Sequence, residues 1–404
     1  MFERLPPSFG GAVAPKFAPV EKAFKDNFRY WVEREGATFA VYEKGELVVD
    51  LWGGYADSSC GRKWAEDTIT CTFSTTKAAG ALCVAMLVER GQLAYEDLVS
   101  KHWPEFGCRG KEAATVQMIM DHSVGLPALD VDHVREDFFD TAKQSRMLEE
   151  QLPLWQPGTR SGYHAVTYGW LVDQLVRRAD AQHRNCATFL REEVTEPRGI
   201  EFHVGLPDRL HSRMTRLKPF NPVVSAKEIL QKPSLLALGW KFATFDRRIY
   251  NKIYQNCMGM TRAGRFPFND PDLQRAPQPA MLGFGTARDL ARIFALVERR
   301  QLLGDALLNR LRQPNFGHRN DPDVAVGIIR TNGWGFEHTP HPQDSNDYLW
   351  GHAGYGGQNL KVDFKNGLAF VYLTNGLHTA VNEYTNAFRR LQKAIYRSLA
   401  DAAS

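Results

Sequence analysis

The sequence has no apolar run long enough to cross a bilayer and no strong excess of either charge. The most apolar stretch, Ala78 to Val88, is interrupted by Gly80 and falls well short of the roughly 20 residues that a membrane-spanning helix needs. Fifty Lys and Arg are scattered among 46 Asp and Glu, which leaves a net charge of +4. We therefore expect no membrane span. We also expect no nucleic acid partner, because proteins that bind nucleic acids gather their basic residues into a patch or stripe.

Cysteine is sparse and follows no pairing pattern. No Cys-x-x-Cys pair occurs, and no histidine stands at metal-ligand spacing from a cysteine. The first residues, Met1 to Pro7, also lack the charged and apolar regions of a signal peptide. These absences predict a reduced, cytoplasmic protein whose cysteines are small buried hydrophobic residues. The six are Cys60, Cys71, Cys83, Cys108, Cys186 and Cys257.

Several motifs of other enzyme classes are missing. No Gly-x-Ser-x-Gly elbow follows a plausible strand, which disfavours an α/β-hydrolase fold. No glycine-rich phosphate loop is found. His338 and His341 form a polar loop with Asp344, but no His-x-x-x-His spacing supports a zinc site. We therefore predict neither a metal nor a cofactor.

The chain does contain enough apolar residues for a large core, with 43% hydrophobic and 24% charged residues among 404. Near the N-terminus, helical spacing predicts an amphipathic helix from Val20 to Glu33. Two runs rich in β-branched and aromatic residues follow, Ala37 to Tyr42 and Glu46 to Trp52. A short Glu-Lys-Gly link between them predicts a hairpin.

The middle of the chain, from about Ser74 to Gln301, is mostly helical in pattern. Its clearest helix runs from Ala287 to Arg300 with Thr286 as N-cap. Strand patterns return afterwards, and an Asn-Gly turn joins the last two of them. The predicted strands are Val324 to Arg330, Gly333 to Glu337, Asn359 to Asp363 and Leu368 to Thr374. A final helix is predicted from Val381 to Leu399.

This order of elements predicts an α/β (α+β) fold in which one antiparallel sheet is built from both termini and flanked by helices. We assign residues 1–73 and 320–404 to the sheet domain and residues 74–319 to an inserted, mostly helical lobe. The two parts form one unit that spans about residues 20–400.

Ser74 and Lys77 stand immediately before the apolar stretch, in the sequence Ser-Thr-Thr-Lys. Positions i and i+3 share one helix face, so the amine of Lys77 can reach the hydroxyl of Ser74. The N–H groups at a helix N-terminus favour the negative charge that develops in acyl transfer. A partly desolvated lysine can also lose its proton near neutral pH and activate a serine.

The chain resembles the serine β-lactamase-like and penicillin-binding-protein-like family, which includes class C β-lactamases, DD-peptidases and family VIII-type esterases. The resemblance extends beyond the Ser-x-x-Lys motif. Asp121 to Pro127 (DHSVGLP) is similar to the family's HTSGLP segment, Thr195 to Ile200 (TEPRGI) to its PLGM turn, and Gly283 to Ala291 (GFGTARDLA) to its SARDLA helix start. It implies a β-lactamase/transpeptidase-like fold with Ser74 as the nucleophile and Lys77 as its partner.

The family's second element, Tyr-x-Asn or Tyr-x-Ser, is matched by Tyr163, His164 and Ala165. The resemblance implies that the Tyr163 hydroxyl takes the proton from the nucleophile and returns it to the leaving group. Ala165 lacks the side chain that often binds a substrate amide or the lysine, which argues against recognition of a β-lactam amide. His164 is a further substrate-contact candidate, whereas His122 is interpreted as structural.

The third element, Lys-Thr-Gly, is replaced by His352, Ala353 and Gly354, which resembles the His-x-Gly variant of family esterases. The histidine removes an obligate cation for a substrate carboxylate, although a protonated His352 would replace it in part. The resemblance implies that the N–H of Tyr355 joins that of Ser74 in an oxyanion hole, with Gly354 allowing close backbone approach.

Together these residues predict a serine hydrolase that forms an acyl-enzyme, with a small-molecule ester or amide as its substrate. Because both the second and third elements are altered, we expect a carboxylesterase for small or medium acyl groups. A β-lactamase or a peptidase or amidase for D-amino acids would use the same machinery. From a different class, a non-catalytic scaffold of this fold is a further alternative. Oligomeric state does not follow from the sequence.

Overall fold

The computed structural model describes residues 6–131, 134–220, 222–233, 235–237, 240, 246–258, 266–315, 322–327 and 330–401. Its strands are β1 Phe9–Val13, β2 Gly36–Glu43, β3 Glu46–Asp57, β4 Arg62–Lys63, β5 Thr70–Cys71, β6 Phe202–Val204, β7 Gly283–Gly285, β8 Asn332–Gly333, β9 Phe336–His341, β10 Asp344–Ala353, β11 Asn359–Asp363 and β12 Leu368–Thr374. Its helices are α1 Ala18–Arg29, α2 Thr76–Glu89, α3 Val99–His102, α4 Val116–Met120, α5 Thr141–Glu150, α6 Thr167–Ala179, α7 Cys186–Leu190, α8 Pro222–Gln231, α9 Arg248–Met258, α10 Pro271–Gln274, α11 Ala287–Glu298, α12 Asp305–Leu311 and α13 Asn386–Asp401.

Within the described residues, nine strands form one antiparallel sheet in the order β1-β3-β2-β12-β11-β10-β9-β8, with β4 paired to β3. The two ends of the chain meet where β12 pairs with β2, for example Phe370 opposite Val41. This pairing confirms the predicted sheet built from both termini. A second, smaller sheet has the order β5-β7-β6.

Both faces of the large sheet are covered. On β2, Phe39 and Val41 face a core that they share with Phe370 and with helices α1 and α13. The alternate residues Ala40 and Tyr42 face the main core with α2 and α11. Because neither face meets water, the central strand β12 is a continuous apolar run without polar alternation.

Several predicted elements are confirmed with small shifts of their ends. They are the first helix, the hairpin of β2 and β3, the strands β11 and β12, and helix α11. The Thr286 side chain caps α11 by accepting a hydrogen bond from the N–H of Asp289 at 3.0 Å. The final helix begins at Asn386 instead of Val381, since Asn382–Tyr384 form a 3₁₀ turn in which Asn382 has a φ of 53°.

The strand predicted from Val324 to Arg330 is wrong over the part that the structure describes. Residues 324–327 form a turn, in which an oxygen of Asp323 accepts the N–H groups of Ala325 and Val326 at 2.9 and 3.1 Å. Residues 328 and 329 lie outside the described residues. A carboxylate that binds its own following N–H groups favours a turn over a strand.

The predicted strand from Gly333 to Glu337 is instead a tight hairpin of β8 and β9. Trp334 and Gly335 both have positive φ, 61° and 91°, as the mirror-image hairpin turn requires. The loop expected around His338, His341 and Asp344 is also wrong, because these residues lie in the paired strands β9 and β10. These strands are rich in polar residues, so a search for alternating apolar residues did not predict them.

The six cysteines are free. Cys71, Cys83 and Cys186 are buried as predicted, whereas Cys60 is exposed on the turn after β3. Among the described helices, none is both long and apolar enough to span a membrane. The described residues also contain no group of three or more His, Cys, Asp or Glu side chains that could hold a metal ion.

Candidate active site

Ser74 lies in a 3₁₀ turn, Phe73–Thr75, that leads directly into the buried helix α2. Two threonines fix this turn against β7: the N–H of Thr72 donates to the carbonyl of Gly283 at 2.8 Å, and Thr76 Oγ1 accepts the N–H of Gly283 at 3.0 Å. Phe73 has a φ of 46°, which is rare for a bulky residue. Such strained backbone clusters at active sites.

Lys77 is completely buried, and its amine lies among three oxygen atoms. It donates to the carbonyls of Ala165 and Ala280, each at 2.9 Å, and lies 3.5 Å from Ser74 Oγ. Burial lowers the pKa of Lys77 well below its ordinary value, and the charge of Arg330 lowers it further. A neutral amine would use its two N–H groups for the two carbonyls and direct its lone pair to the Ser74 hydroxyl.

Tyr163 lies beside both residues. Its hydroxyl interacts with that of Ser74, and Lys77 Nζ is 4.8 Å from the centre of its ring. Burial raises the pKa of the Tyr163 hydroxyl above its ordinary value, although the charge of Arg330 opposes the rise. The structure therefore brings together Ser74, Lys77 and Tyr163. Ala165, at the altered third position, contributes only its carbonyl, which takes over the contact to the lysine.

His352 lies near this group at the end of β10, with its ring 6.3 Å from that of Tyr163. The side chain is buried, and Nδ1 lies 2.6 Å from the carbonyl oxygen of Ala353, so Nδ1 donates. Burial lowers the pKa of His352 to about 4, despite the nearby Glu337. The expectation that a protonated His352 partly replaces the lysine is therefore not met, because the imidazole is neutral near pH 7.

The turn Tyr355–Gly357, which we call the Tyr355 turn, follows β10 and lies close to the residues that precede Ser74. A Cβ atom on Gly354 would lie only 2.9 Å from the carbonyl oxygen of Thr72, so glycine allows this close approach of two backbones. Tyr355 is the first residue of one short 3₁₀ turn, and Ser74 is the second residue of another. The first N–H groups of such turns have no acceptor within the turn and remain free for a substrate oxygen.

His164 is placed differently from the expected substrate contact. Its Nε2 accepts the N–H of Leu126 at 2.9 Å, and its Nδ1 donates to the carbonyl of Gly162 at 2.6 Å. Burial lowers its pKa to about 3. Both ring nitrogens are thus used by backbone groups, so the imidazole has none left for a substrate.

His122 supports the same loop. It has a φ of 59°, its Nδ1 accepts the N–H of His164 at 3.1 Å, and its ring packs 4.9 Å from Tyr163. These contacts agree with a structural role.

Three charged residues that the sequence reasoning missed lie behind Tyr163. The guanidinium carbon of Arg330 is 4.3 Å from the centre of the Tyr163 ring. Arg330 pairs with Glu337 at 2.6 Å and with Asp323 at 3.5 Å. The sequence did contain a signal for two of them. Arg330 and Glu337 are charged residues in predicted strands, and a charge in a buried strand needs a partner.

Aromatic side chains cluster beside Ser74, around Phe73 and Tyr355. The ring of Phe73 lies 4.7 Å from that of Phe268 and 5.6 Å from that of Tyr355. Phe220 and Phe266 extend this group, at 5.8 Å from Tyr355 and 5.5 Å from Phe268. We call these five residues the aromatic mouth. Tyr355 is 43% exposed whereas Phe73 is buried, so the mouth reaches solvent at Tyr355.

Known proteins resemble this chain over most of its length. The beta-lactamase family model matches residues 24–394. The chain is 30% identical over 380 residues to the esterase/beta-lactamase LipL of Mycobacterium tuberculosis, an alignment that covers 91% of this chain and 83% of the relative. A family VIII carboxylesterase structure has a TM-score of 0.82 and 27% identity, and covers 97% of this chain and 100% of its own. A penicillin-binding protein homologue from Caulobacter crescentus has a TM-score of 0.77 and 30% identity, with the same coverage.

The family model and the relative cover most of the chain, and both extend across the Ser-x-x-Lys turn, the sheet and the helices around it. They confirm the resemblance and the fold class that the sequence predicts. The chain therefore belongs to the beta-lactamase family, and it is a serine hydrolase.

Proposed function

We propose that this protein hydrolyses carboxylic esters through an acyl-enzyme on Ser74, with Lys77 and Tyr163 as its proton-transfer pair. The observation that carries the proposal is one partly exposed serine hydroxyl that lies beside both a buried amine and a partly buried phenol. A serine becomes a nucleophile when groups that can accept its proton lie beside it in this way.

The pKa directions divide the roles within the pair. Because burial lowers the pKa of Lys77 and raises that of Tyr163, the favoured resting forms are a neutral amine and a neutral phenol. Ser74 Oγ attacks the carbonyl carbon, and its proton passes to Lys77 directly or through the Tyr163 hydroxyl. The N–H groups of Ser74 and Tyr355 stabilise the oxyanion.

Collapse of the tetrahedral intermediate breaks the bond to the leaving oxygen, which takes the proton from the pair and departs as an alcohol. Water then attacks the acyl carbon and gives its proton to the same pair. When the second intermediate collapses, the proton returns to Ser74 Oγ and the carboxylic acid is released. No further reactant is needed.

The surroundings favour neutral ester substrates over β-lactams. His352 is neutral near pH 7, so it offers no fixed cation for a substrate carboxylate. Ala165 has no side-chain group that could hydrogen bond an amide. The aromatic mouth instead offers apolar surface for an acyl or alcohol group. Gly354, Tyr355 and His352 would line the side of the site opposite α2.

The direct test is labelling with a fluorophosphonate probe together with turnover of p-nitrophenyl acetate and butyrate. We expect Ser74→Ala to lose both labelling and turnover while its thermal unfolding stays close to wild type, because the side chain is small and lies in a turn. Ser59→Ala, on the exposed turn after β3, is the matched control and should retain both. Nitrocefin, a chromogenic β-lactam, should be turned over much more slowly than the esters.

Retained ester turnover in Ser74→Ala would contradict the mechanism. Faster nitrocefin than ester turnover would keep the mechanism but move the substrate class to β-lactams. A folded wild-type protein that neither labels nor turns over esters would favour the non-catalytic scaffold.

A further inference from the structure

Arg330 is a buried cation packed against the face of Tyr163. Its side chain is only 11% exposed, and its guanidinium carbon lies 4.3 Å from the ring centre. A guanidinium at this distance attracts the ring electrostatically and attracts a phenolate more strongly. The position of Arg330 therefore affects how readily Tyr163 shares or loses its proton.

Two carboxylates hold Arg330 and also fix the backbone of the site. Glu337 accepts a hydrogen bond from Arg330 at 2.6 Å and accepts the N–H of Ala353, beside His352, at 2.8 Å. Asp323 lies 3.5 Å from Arg330 and accepts the N–H of Tyr163 at 3.0 Å. The cation is thus held in a fixed place relative to both Tyr163 and the end of β10.

Other titratable groups face Tyr163 and Lys77 from every neighbouring element. They are His122 from the turn after α4, His164 from the loop before α6, Tyr168 from α6, Cys257 from α9, His352 from β10, Glu337 from β9, and Asp323 and Arg330 from the segment before β8.

Burial lowers the pKa of both His122 and His352, and burial raises the pKa of the Cys257 thiol to about 11, so these three are neutral near pH 7. Burial alone would lower the pKa of Arg330, but Glu337 and Asp323 raise it above its ordinary value. Among the described groups around Tyr163, Arg330 therefore keeps its positive charge at every pH of interest.

We infer that Arg330 is a positioning residue that supplies the fixed positive charge of the active site, acting on the Lys77–Tyr163 pair from behind the Tyr163 ring. This inference rests on the proposed function, because it assigns Arg330 a role toward the proton-transfer pair. The charge favours the neutral amine of Lys77 by repulsion and the developing phenolate of Tyr163 by attraction.

The test is the pH dependence of kcat/KM for p-nitrophenyl butyrate, whose acidic limb reports loss of a proton from the pair. In Arg330→Met both members of the pair hold their protons more tightly, so we expect this limb to move to higher pH by about one unit or more. Arg330→Lys keeps the charge and should leave the limb near its wild-type position even if kcat falls. Glu337→Gln removes a negative charge and should move the limb to lower pH.

These opposite directions separate a charge effect from a structural one, because Arg330→Met and Glu337→Gln break the same ion pair. Limbs that coincide with wild type, or that move the same way in both variants, would overturn the inference. If circular dichroism shows that Arg330→Met does not fold, the shift of the acidic limb in Glu337→Gln tests the inference by itself: a shift to lower pH supports it, and no shift or a shift to higher pH overturns it.

Ser74→Ala keeps the two proposals distinguishable. Loss of turnover in Ser74→Ala together with an unshifted limb in Arg330→Met would reject only the role of Arg330. Retained turnover in Ser74→Ala would reject the proposed function and the role of Arg330 with it.

Discussion

Two tyrosines pack against His122, and they differ in what their hydroxyl groups contact. The ring centres of Tyr163 and Tyr168 both lie 4.9 Å from that of His122. The hydroxyl of Tyr163 interacts with that of Ser74, whereas the buried hydroxyl of Tyr168 has no hydrogen-bond partner among the described residues. A comparison of Tyr163 with Tyr168 therefore distinguishes the role of the Tyr163 hydroxyl from the role of its ring.

We expect Tyr163→Phe to lower kcat/KM for p-nitrophenyl butyrate by about 10²- to 10⁴-fold, because a proton-transfer group is removed while the ring remains. The matched variant Tyr168→Phe should keep wild-type turnover and equal or greater thermal stability, since it removes an unsatisfied buried hydroxyl. Steady-state kinetics and thermal unfolding of both variants test this prediction. Equal losses of activity in the two variants would assign Tyr163 a packing role only.

At the scale of elements, helix α2 carries Lys77, the loop before α6 carries Tyr163, and both helices pack against the loop before β7. Gln278 in that loop donates from its side chain to the carbonyl of Val166 at 3.2 Å and accepts the N–H of Ala280 at 2.9 Å. The carbonyl of Ala280 in turn accepts the amine of Lys77. Packing of α6 on this loop therefore fixes the lysine.

Gly169 in α6 makes this packing possible, and its replacement provides a test. A Cβ there would lie 1.6 Å from the Gln278 side-chain oxygen and 2.7 Å from the nitrogen of Ala280. We expect Gly169→Ala to destabilise the protein by about 1–3 kcal/mol through overpacking. It should also lower kcat, because Ala280 must move away from Lys77.

Gly80 in α2 is the matched control. A Cβ there would meet nothing closer than 3.4 Å, so Gly80→Ala should raise stability by about 0.5–1 kcal/mol through its helix preference. Thermal unfolding and ester turnover of Gly169→Ala and Gly80→Ala test whether α6 packs on this loop as described. If Gly169→Ala matched Gly80→Ala in both measurements, the loop would not be held as described.

At the scale of the whole molecule, a buried polar cluster joins segments from far apart in the chain. His378, after β12, lies 2.8 Å from Glu228 of α8 and 3.8 Å from Glu33, which follows α1. The backbone N–H of His378 also donates to the carbonyl of Gly356, in the Tyr355 turn, at 3.0 Å. The cluster therefore connects both ends of the chain and α8 to one side of the active site.

This cluster predicts a loss of stability at alkaline pH. Burial alone would lower the pKa of His378, but the hydrogen bonds and charges of Glu228 and Glu33 raise it to about 9. A raised pKa in the folded state means that the contribution to stability is complete below pH 6.5, the ordinary value, and is lost as the pH rises through 9. We expect the free energy of unfolding to fall across that window.

His378→Gln tests the assignment, because it removes a buried cation from beside Glu228 and Glu33 and should cost about 3 kcal/mol at pH 6. The difference from wild type should narrow towards pH 9.5, as the wild-type histidine loses its proton. Urea unfolding at several pH values measures both curves. Parallel curves would show that another group governs the alkaline loss.

The strands β2, β3, β11 and β12 and the motif that opens α2 were predictable because their signals are local. Alternating or continuous apolar residues report which faces are buried, as in β2 and β12, and the i, i+3 spacing of Ser74 and Lys77 is a property of one helical turn. The strand β10 and the hairpin of β8 and β9 were not predictable in this way. Their polar residues pair with neighbours in the fold, such as His341 with Asp363 at 3.0 Å.

The sequence by itself determined the family, the sheet built from both termini, and Ser74, Lys77 and Tyr163 as candidates, because each of these depends on a short pattern of residue types. Only the tertiary structure decided that His352 is neutral, that His164 is used by the backbone, and that Arg330 lies on the Tyr163 ring. Protonation and ion pairing depend on burial and on neighbours such as Asp323, which is 160 positions from Tyr163. The path of the folded chain sets such contacts, and no local pattern encodes them.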